Sequence, residues 1–206
     1  AADPISDGAG GAANERQMFV RAIVGQTGDA LHRQLITSKN TVRGGTFMQA
    51  STEQIDLLTG LPNINRFCSL SQKILDDAAE RAKSLVFVYF DVLNFRAYNY
   101  RYGFDAGEQY LVRLGAVIKN VFPELHVTRF ADDHFLAIAY NRDLEQRIDL
   151  VRQSVAFDRR SKSLNVKAGI YVVPNEPNLQ AVRVCDNAKI ACESIKNASG
   201  VNNCYY

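Results

Sequence analysis

The stretch "SLVFVYFDV", residues 84–92, is a nearly continuous run of apolar residues that ends at an aspartate. Strands that are covered on both faces have this pattern, because neither side of the strand meets water. We therefore predict a buried central strand here, with Asp91 at its end. Burying an unpaired carboxylate is costly, so Asp91 is expected to meet a hydrogen-bond donor, a cation or water.

The chain around this strand alternates between helical and strand patterns. Apolar residues recur at steps of three and four, as amphipathic helices require, over residues 64–82, 105–121, 144–155 and 179–195. Runs typical of strands cover residues 126–130, 134–140, 164–173 and, as an edge strand, 202–206. This order predicts an α/β (α+β) sandwich in which helices flank a mainly antiparallel central sheet.

The N-terminal part lacks the patterns of a domain core. Residues 1–14 are mostly small and turn-forming, which is typical of a linker or of residues added for expression. Residues 15–55 contain a helical pattern interrupted by glycines and then a second loop, which indicates a helical connector from an upstream region. We therefore place the main domain at residues 56–206.

Charge and hydropathy exclude several classes of partner. Lys and Arg number 24 against 22 Asp and Glu, a formal net charge of +2, so the totals show no footprint for nucleic acid or an anionic membrane. No apolar run approaches the ~20 residues that cross a bilayer. The 4 cysteines form no CxxC pair and fit reduced thiols. We expect no nucleic-acid partner, no membrane contact from this segment and a cytoplasmic location, whether alone or as the cytosolic part of a larger, membrane-anchored protein.

Acidic residues cluster where the predicted strands end. Asp132 and Asp133 fall at the tip of the predicted hairpin, and in such a sheet this tip would lie beside Asp91. Hard carboxylate oxygens suit Mg²⁺ together with substrate phosphates. Aspartate in a turn, however, is most often turn chemistry alone. From the residues by themselves, a metal site and a plain turn both stay open.

Four segments of the chain resemble, in the same order, the motifs of a known family. They are "DLLTGLPN" (56–63), "FDVLNFRAYNYRYGFDAGEQYL" (90–111), "RFADDHF" (129–135) and "KAGIYVV" (167–173). The family is the GGDEF domain, the bacterial diguanylate cyclase that joins two GTP into cyclic di-GMP. The resemblance covers about three quarters of the chain and implies a palm-like fold related to nucleotide cyclases and polymerases.

The resemblance implies a metal site at the end of the central strand. Asp91 matches the family's first metal-binding aspartate, and Val92 matches the residue whose backbone carbonyl helps to hold the metal. Asp133 matches the acidic ligand inside the signature. Mg²⁺ is therefore the implied cofactor.

The resemblance also implies a guanine-nucleotide site with altered contacts. Asn99 matches the asparagine that reads guanine, while Glu108 stands where the family has a guanine-binding aspartate. Arg96 replaces a phosphate-facing lysine, which keeps the charge and changes the geometry. GTP or a related guanine nucleotide is the implied ligand.

The signature "ADDHF" departs from the family where the chemistry is done. Ala131 and Asp132 replace two glycines that let backbone N–H groups approach the phosphates. A like-charge pair ~4 Å apart costs about 4 kcal/mol at an effective dielectric of about 20, so an Asp132 that points inward would remove roughly three decades of phosphate affinity. His134 replaces the acidic residue to which the resemblance assigns assistance of the attacking hydroxyl or the metals. Imidazole can still act as a base, but an anionic metal partner is lost.

Further departures lie outside the signature. Leu93 and Tyr100 replace acidic residues of the central motif. Lys196 stands for one basic phosphate contact, and Val201 occupies the place of an expected arginine. The sequence "FPEL" (122–125) stands where the family's product-inhibition motif RxxD is expected, so feedback binding there is predicted to be absent.

These departures favour a degenerate GGDEF domain without efficient cyclase activity. Such a domain would bind GTP or another guanine nucleotide, or provide a homodimer surface, and would pass that state to a neighbouring sensor or EAL phosphodiesterase domain. We treat His134 and Asp132 only as candidates for a catalytic role. The alternative hypothesis is an active, Mg²⁺-dependent cyclase that works as a homodimer. A third hypothesis is an interaction module with an empty site.

Overall fold

The computed structural model describes residues 54–156 and 164–206, which all belong to one structural unit, Gly44–Tyr206. The predicted linker and nearly all of the predicted connector lie outside the described residues. The last two connector residues belong to the fold. Ile55 forms an isolated antiparallel bridge with Pro62, and the Asn63 N–H donates to the Gln54 carbonyl at 3.0 Å.

The helices and strands follow the predicted order with two exceptions. The helices are α1 (Ile64–Asp76), α2 (Ala78–Arg81), α3 (Phe95–Tyr102), α4 (Phe104–Val121), α5 (Leu144–Val155) and α6 (Ala181–Ser194). The strands are β1 (Leu85–Leu93), β2 (Val127–Ala131), β3 (His134–Tyr140), β4 (Asn165–Val172) and β5 (Asn203–Tyr205).

The five strands form a single sheet in the order β2-β3-β1-β4-β5. All neighbours pair antiparallel except β4 and β5, which pair in parallel. Strand β1 is therefore the middle strand, as the apolar run predicted. The predicted class, a mainly antiparallel sheet flanked by helices, is confirmed.

The two faces of β1 bury different halves of the core. Leu85, Phe87 and Tyr89 pack in a cluster with residues of α1 and α6. The alternate residues of β1, from Val86 to Val92, pack in a second cluster with residues of α4 and α5. Because side chains alternate along a strand, Asp91 continues the first series and points to the α1 and α6 face.

Helix α6 lies unusually close to the sheet because of one glycine. A Cβ added at Gly169 of β4 would lie 2.1 Å from the Ala188 carbonyl oxygen and 2.3 Å from the Cys192 nitrogen, both in α6. No side chain fits between these two backbones. The close approach fixes the end of α6, and the loop that follows it, next to the end of β1.

The two exceptions concern helices around the central strand. The helix predicted over residues 64–82 breaks at Asp77, whose backbone is extended with a ψ of 110°. Asn63 caps its start, and its side chain accepts a hydrogen bond from the Arg66 N–H. Helix α3 was not predicted, because among its eight residues only Tyr98 is buried and no apolar stripe marks it.

Candidate functional site

Asp91 is the centre of a charged cluster at the end of β1. It lies directly opposite His134 of β3 in the strand register. Its Oδ1 is 3.4 Å from the His134 Nε2, and its Oδ2 is 3.0 Å from the Lys196 Nζ. Burial would raise the pKa of Asp91, but the hydrogen bonds and positive charges of His134 and Lys196 outweigh it and lower the pKa.

Asp133 and His134 complete the cluster from the hairpin. The Asp133 Oδ1 lies 3.6 Å from the same Nε2 of His134. The hydrogen bond to Asp91 raises the pKa of His134. Burial raises the pKa of Asp133, because it disfavours the charged carboxylate. The cluster therefore places two carboxylates around one imidazole.

These three side chains are the group of donors that fits a divalent cation. One donor atom from each of Asp91, Asp133 and His134 lies within 4.8 Å of the others. Two carboxylates and an imidazole are ordinary ligands for divalent metals in proteins. Val92, whose carbonyl the resemblance adds to the metal site, follows Asp91 directly and buries its side chain in the opposite face of the sheet.

Lysine residues near the cluster were only partly recognised from the sequence. Lys196 lies in the loop after α6 and pairs with Asp91. Lys167 of β4 is 3% exposed, and its Nζ donates to the carbonyls of Ile195 and Ala198 in the same loop. Lys167 therefore holds the segment that carries Lys196. A lysine inside the apolar run "NVKAGIYV" was the available signal.

The hairpin tip carries the two positions where the family has glycines. Ala131 and Asp132 are exposed, and Asp132 has a φ of 39°, in the left-handed region that favours glycine. The Asp132 carbonyl accepts hydrogen bonds from the Arg129 Nε at 2.8 Å and Nη2 at 2.6 Å. Because the Asp132 side chain is exposed, water screens its charge, and its repulsion of a phosphate is weaker than at a buried position.

The opening motif "DLLTGLPN" is tied to the signature hairpin. The Arg129 Nη1 lies 3.3 Å from the Asp56 Oδ2. The other oxygen of Asp56 accepts from the Thr59 N–H at 2.8 Å and from its hydroxyl at 2.7 Å. The Thr128 hydroxyl donates to the Pro62 carbonyl at 2.6 Å. Two motifs that are distant in the sequence therefore form one structure.

The predicted guanine-reading residues lie where α3 meets α4. Among the described residues, the buried Oδ1 of Asn99 has no hydrogen-bond partner. A Cβ added at Gly107 of α4 would lie 1.9 Å from this oxygen, so Asn99 packs against the glycine. Glu108 follows on α4 and is exposed, as is Arg96 on α3. The structure therefore places Asn99 against Gly107, the residue that precedes Glu108.

The remaining departures have different surroundings. Phe122 is fully buried, and the Arg147 guanidinium lies 4.3 Å above its ring, so the start of "FPEL" belongs to the core. Tyr100 is 96% exposed, and Val201 is exposed in the loop after α6. The 4 cysteines are free thiols in the structure.

Solved structures share this architecture. The GGDEF domain of YfiN (TpbB) from Pseudomonas aeruginosa is 25% identical, with a TM-score of 0.61 over 71% of this chain and 97% of that chain. The GGDEF domain of DgcB from Caulobacter crescentus, in complex with c-di-GMP, is 21% identical, with a TM-score of 0.59 over 80% and 98%. Diguanylate cyclase SiaD from Pseudomonas aeruginosa, in complex with its activator SiaC, is 20% identical, with a TM-score of 0.64 over 95% and 75%.

Curated relatives are longer proteins. An uncharacterized membrane protein of Staphylococcus aureus (strain USA300) is 25% identical over 139 residues, which cover 62% of this chain and 39% of the relative. A protein from strain NCTC 8325 matches to the same extent. The chain thus matches less than half the length of these relatives. Within the part of the chain that the structure describes, no helix combines the length and the apolar composition needed to cross a membrane.

A family match covers most of the chain. The family described as "Diguanylate cyclase, GGDEF domain" matches residues 53–202, which include the opening motif, β1 with Asp91, and the signature hairpin. The family predicted from the four motifs is therefore confirmed. This chain belongs to the GGDEF domain family of diguanylate cyclases.

Proposed function

We propose that this chain is a catalytically impaired GGDEF domain that binds a guanine nucleotide and regulates an adjacent domain of a c-di-GMP signalling protein. The adjacent domain would be a sensor or an EAL phosphodiesterase, and a homodimer of this domain would relay the signal. One observation carries the proposal. The His134 Nε2 lies 3.4 Å from Asp91 and 3.6 Å from Asp133, between the two carboxylates.

This position matters because the resemblance places an acidic catalytic residue there. An imidazole directed at two carboxylates has its Nε2 engaged within the site rather than free to take a proton from an attacking hydroxyl. It also cannot supply the negative charge with which a third carboxylate would hold cations. The expected consequence is slow turnover.

Lys196 reinforces this effect. Its ammonium group lies 3.0 Å from the Asp91 Oδ2, so Asp91 meets one cationic side chain and one imidazole of its own chain. An incoming metal ion must compete with these internal partners. The carboxylates are therefore weaker ligands for Mg²⁺ than two free carboxylates would be.

The guanine-reading region supports nucleotide binding. Asn99 Oδ1 is a buried acceptor with no partner among the residues described, and an unpaired buried acceptor costs roughly 1–3 kcal/mol. The Watson–Crick edge of guanine carries N–H donors that would satisfy this oxygen and the nearby carboxylate of Glu108. Arg96, exposed on the preceding helix, supplies positive charge for phosphates.

A divalent cation would add charge neutralisation for the phosphates of the nucleotide, and Asp91, Asp133 and the Val92 carbonyl would hold it. Mg²⁺ is the family's implied ion. Asn99 and Glu108 would orient guanine. Arg129 holds the hairpin, and Lys167 keeps the segment with Lys196 beside the carboxylates.

An active cyclase is the second candidate function. Asp91 and Asp133 both remain, and the exposed position of Asp132 weakens its repulsion of phosphate. The relatives also suggest wider contexts. DgcB is seen with c-di-GMP and SiaD with an activator protein, which makes a bound dinucleotide and a protein partner further ligands to test on this chain. The membrane-protein relatives support a place in the cytosolic part of a longer, membrane-anchored chain.

The test separates binding from turnover. GTP binding is measured by calorimetry with and without Mg²⁺, and c-di-GMP formation is followed by chromatography at high protein concentration. Three substitutions, Ala131→Gly, Asp132→Gly and His134→Glu, together restore the family signature. An Asp91→Asn protein gives the background.

We expect the parent to bind GTP and to form product at the background rate, and the restored protein to form at least about ten times more. Product from the parent at the rate of the restored protein would establish the active cyclase instead. If the parent does not bind GTP at millimolar nucleotide, the third hypothesis remains, an interaction module without a nucleotide ligand.

A further inference from the structure

The three donor atoms of the charged cluster are spaced like the ligands of one small metal ion. The His134 Nε2 lies 3.4 Å from the Asp91 Oδ1 and 3.6 Å from the Asp133 Oδ1, and each residue's donor lies within 4.8 Å of the others. A tetrahedral Zn²⁺ with bonds of about 2.0–2.1 Å places neighbouring ligand atoms roughly 3.3 Å apart. Only small movements of the side chains would bring all three donors to one ion.

The chemistry of these donors differs from that of an ordinary magnesium site. Mg²⁺ prefers oxygen ligands in octahedral geometry and gives up its water reluctantly. Imidazole nitrogen instead suits Zn²⁺ and its neighbours in the first transition row. His134 occupies the third corner of the cluster, so the donor set is two oxygens and one nitrogen. We propose that Asp91, Asp133 and His134 form a site that selects a borderline divalent metal, of which Zn²⁺ is representative, over Mg²⁺.

The surroundings orient the carboxylate of Asp91 toward His134 and the proposed ion. Lys196 binds the Asp91 Oδ2, the oxygen that does not face His134. A hydrogen bond to the second oxygen of a ligating carboxylate fixes its orientation. The His134 ring lies 5.5 Å from the Tyr89 ring at an angle of 32°, which restricts the imidazole from one side.

Solvent reaches the site from the hairpin side. The side chains of Asp133 and His134 are 21% and 25% exposed, while that of Asp91 is 4% exposed. A hydrated ion can therefore approach the two hairpin ligands first and then meet Asp91 at the end of β1. Water or a ligand from solution would fill the remaining coordination position.

This inference goes beyond the proposed function, because it concerns the metal alone and requires no nucleotide. It is tested with the full chain in the absence of GTP. Calorimetry and competition with a chromophoric chelator measure the binding of Zn²⁺, Co²⁺ and Mg²⁺. We expect Zn²⁺ and Co²⁺ to bind at least about 100-fold more tightly than Mg²⁺.

Substitution of the nitrogen ligand gives the decisive comparison. His134→Glu should weaken Zn²⁺ and Co²⁺ binding by at least about 10-fold and strengthen Mg²⁺ binding, since all three donors are then oxygens. Asp133→Asn replaces an anionic ligand with a neutral amide and should weaken the binding of all three ions, and it serves as a second variant should His134→Glu fail to fold. His126→Gln changes a histidine at the far end of the hairpin and should leave metal binding unchanged.

The absorption spectrum of the Co²⁺ protein identifies the ligands independently. We expect visible bands of a cobalt site with nitrogen and oxygen ligands, lost in His134→Glu. An intense near-ultraviolet thiolate-to-cobalt band would assign the ion to cysteines and overturn the proposal. Equal Zn²⁺ affinity in the parent and His134→Glu, or Mg²⁺ binding as tight as Zn²⁺ binding in the parent, would also overturn it.

Discussion

Asp91 and His134 face each other across the β1–β3 ladder, and the Asp91 Oδ1 lies 3.4 Å from the His134 Nε2. This contact joins the buried central strand to the hairpin that carries the signature. In the family, an acidic residue is expected in place of the histidine, and two carboxylates at this separation would repel each other. Here the imidazole and the carboxylate form a contact instead, which holds the hairpin against the central strand.

The two aspartates of the cluster should differ in what they contribute to stability. Asp91 pairs with the Lys196 ammonium group and contacts the His134 imidazole, so Asp91→Asn should lower the free energy of unfolding by about 1–3 kcal/mol. Asp133 is different, because burial raises its pKa and disfavours the charged form. Asp133→Asn should leave stability unchanged or raise it slightly. Urea denaturation at neutral pH with a metal chelator checks both variants, and equal losses would contradict this distinction.

Gly107 should control nucleotide binding through Asn99. The methyl group of Gly107→Ala would lie 1.9 Å from the Asn99 Oδ1 and must displace that side chain. We expect about 10-fold weaker binding of a fluorescent GTP analogue, similar to Asn99→Ala, and no further loss in the double variant. The same analogue with adenine in place of guanine provides the control, because its weak binding should be equal in the parent and the variants.

The fold itself should tolerate Gly107→Ala. Alanine stabilises a helix interior by roughly 0.5–1 kcal/mol relative to glycine. A Gly107→Ala protein that melts at or above the temperature of the parent, yet binds GTP less well, would show that the loss is local. Unchanged GTP binding would show that Asn99 does not contact the base.

Lys167 should be important for stability through its two carbonyl partners. It is 3% exposed, and it donates to the carbonyls of Ile195 and Ala198. Lys167→Met keeps the length of the side chain but leaves both carbonyls without this donor, which should cost about 2–4 kcal/mol. Lys189→Met is the matched control. Its partner Glu193 lies 3.7 Å away on the helix surface, and its loss should cost less than about 0.5 kcal/mol in urea denaturation. Similar losses in the two variants would contradict a special role for Lys167.

Glu124 should make stability depend on pH in the acid range. Burial would raise the pKa of Glu124, but hydrogen bonds from its own backbone, Arg142 and Arg147 outweigh it and lower the pKa. A lowered pKa in the folded state means that the carboxylate stabilises the fold above its unfolded pKa of about 4.3, and that this stability is lost as pH falls through the folded value.

The measurement compares Glu124→Gln with the parent by chemical denaturation. At about pH 7 the variant should be less stable by roughly 1–2 kcal/mol, and the difference should shrink below about pH 4. Glu176→Gln, in an exposed loop, makes the same change of charge and should show little difference at either pH. A difference that stays constant down to acid pH would mean that the ion pairs do not cause it.

Local patterns were sufficient for most of the fold. The apolar run of β1 predicted a central strand because a strand covered on both faces has no polar side, and the structure places it third of five. The hairpin was predicted because two strand patterns flank Ala131, Asp132 and Asp133. Helix α3 was missed because its stability comes from packing of Tyr98 against neighbouring aromatic rings, and a short helix of this kind leaves no periodic signal.

Short sequence motifs also predicted part of the site. Motif positions identified Asp91, Asp133 and His134, and a hairpin beside the central strand brings them together. The contribution of Lys167 could not be predicted, since its partners lie 28 and 31 residues further along the chain. Nor could the sequence show that the Asp132 side chain is exposed, because that direction depends on the left-handed backbone of the turn.

The sequence by itself determined the family, the order of the elements and the residue types at the signature, because these depend on patterns within short segments. Only the tertiary structure decided which charges meet. The strand register sets Asp91 opposite His134, and the close packing of α6 on Gly169 brings Lys196 to the other carboxylate oxygen. Electrostatic interactions fall off over a few ångströms, so the chemistry of this site depends on distances that only the folded chain fixes.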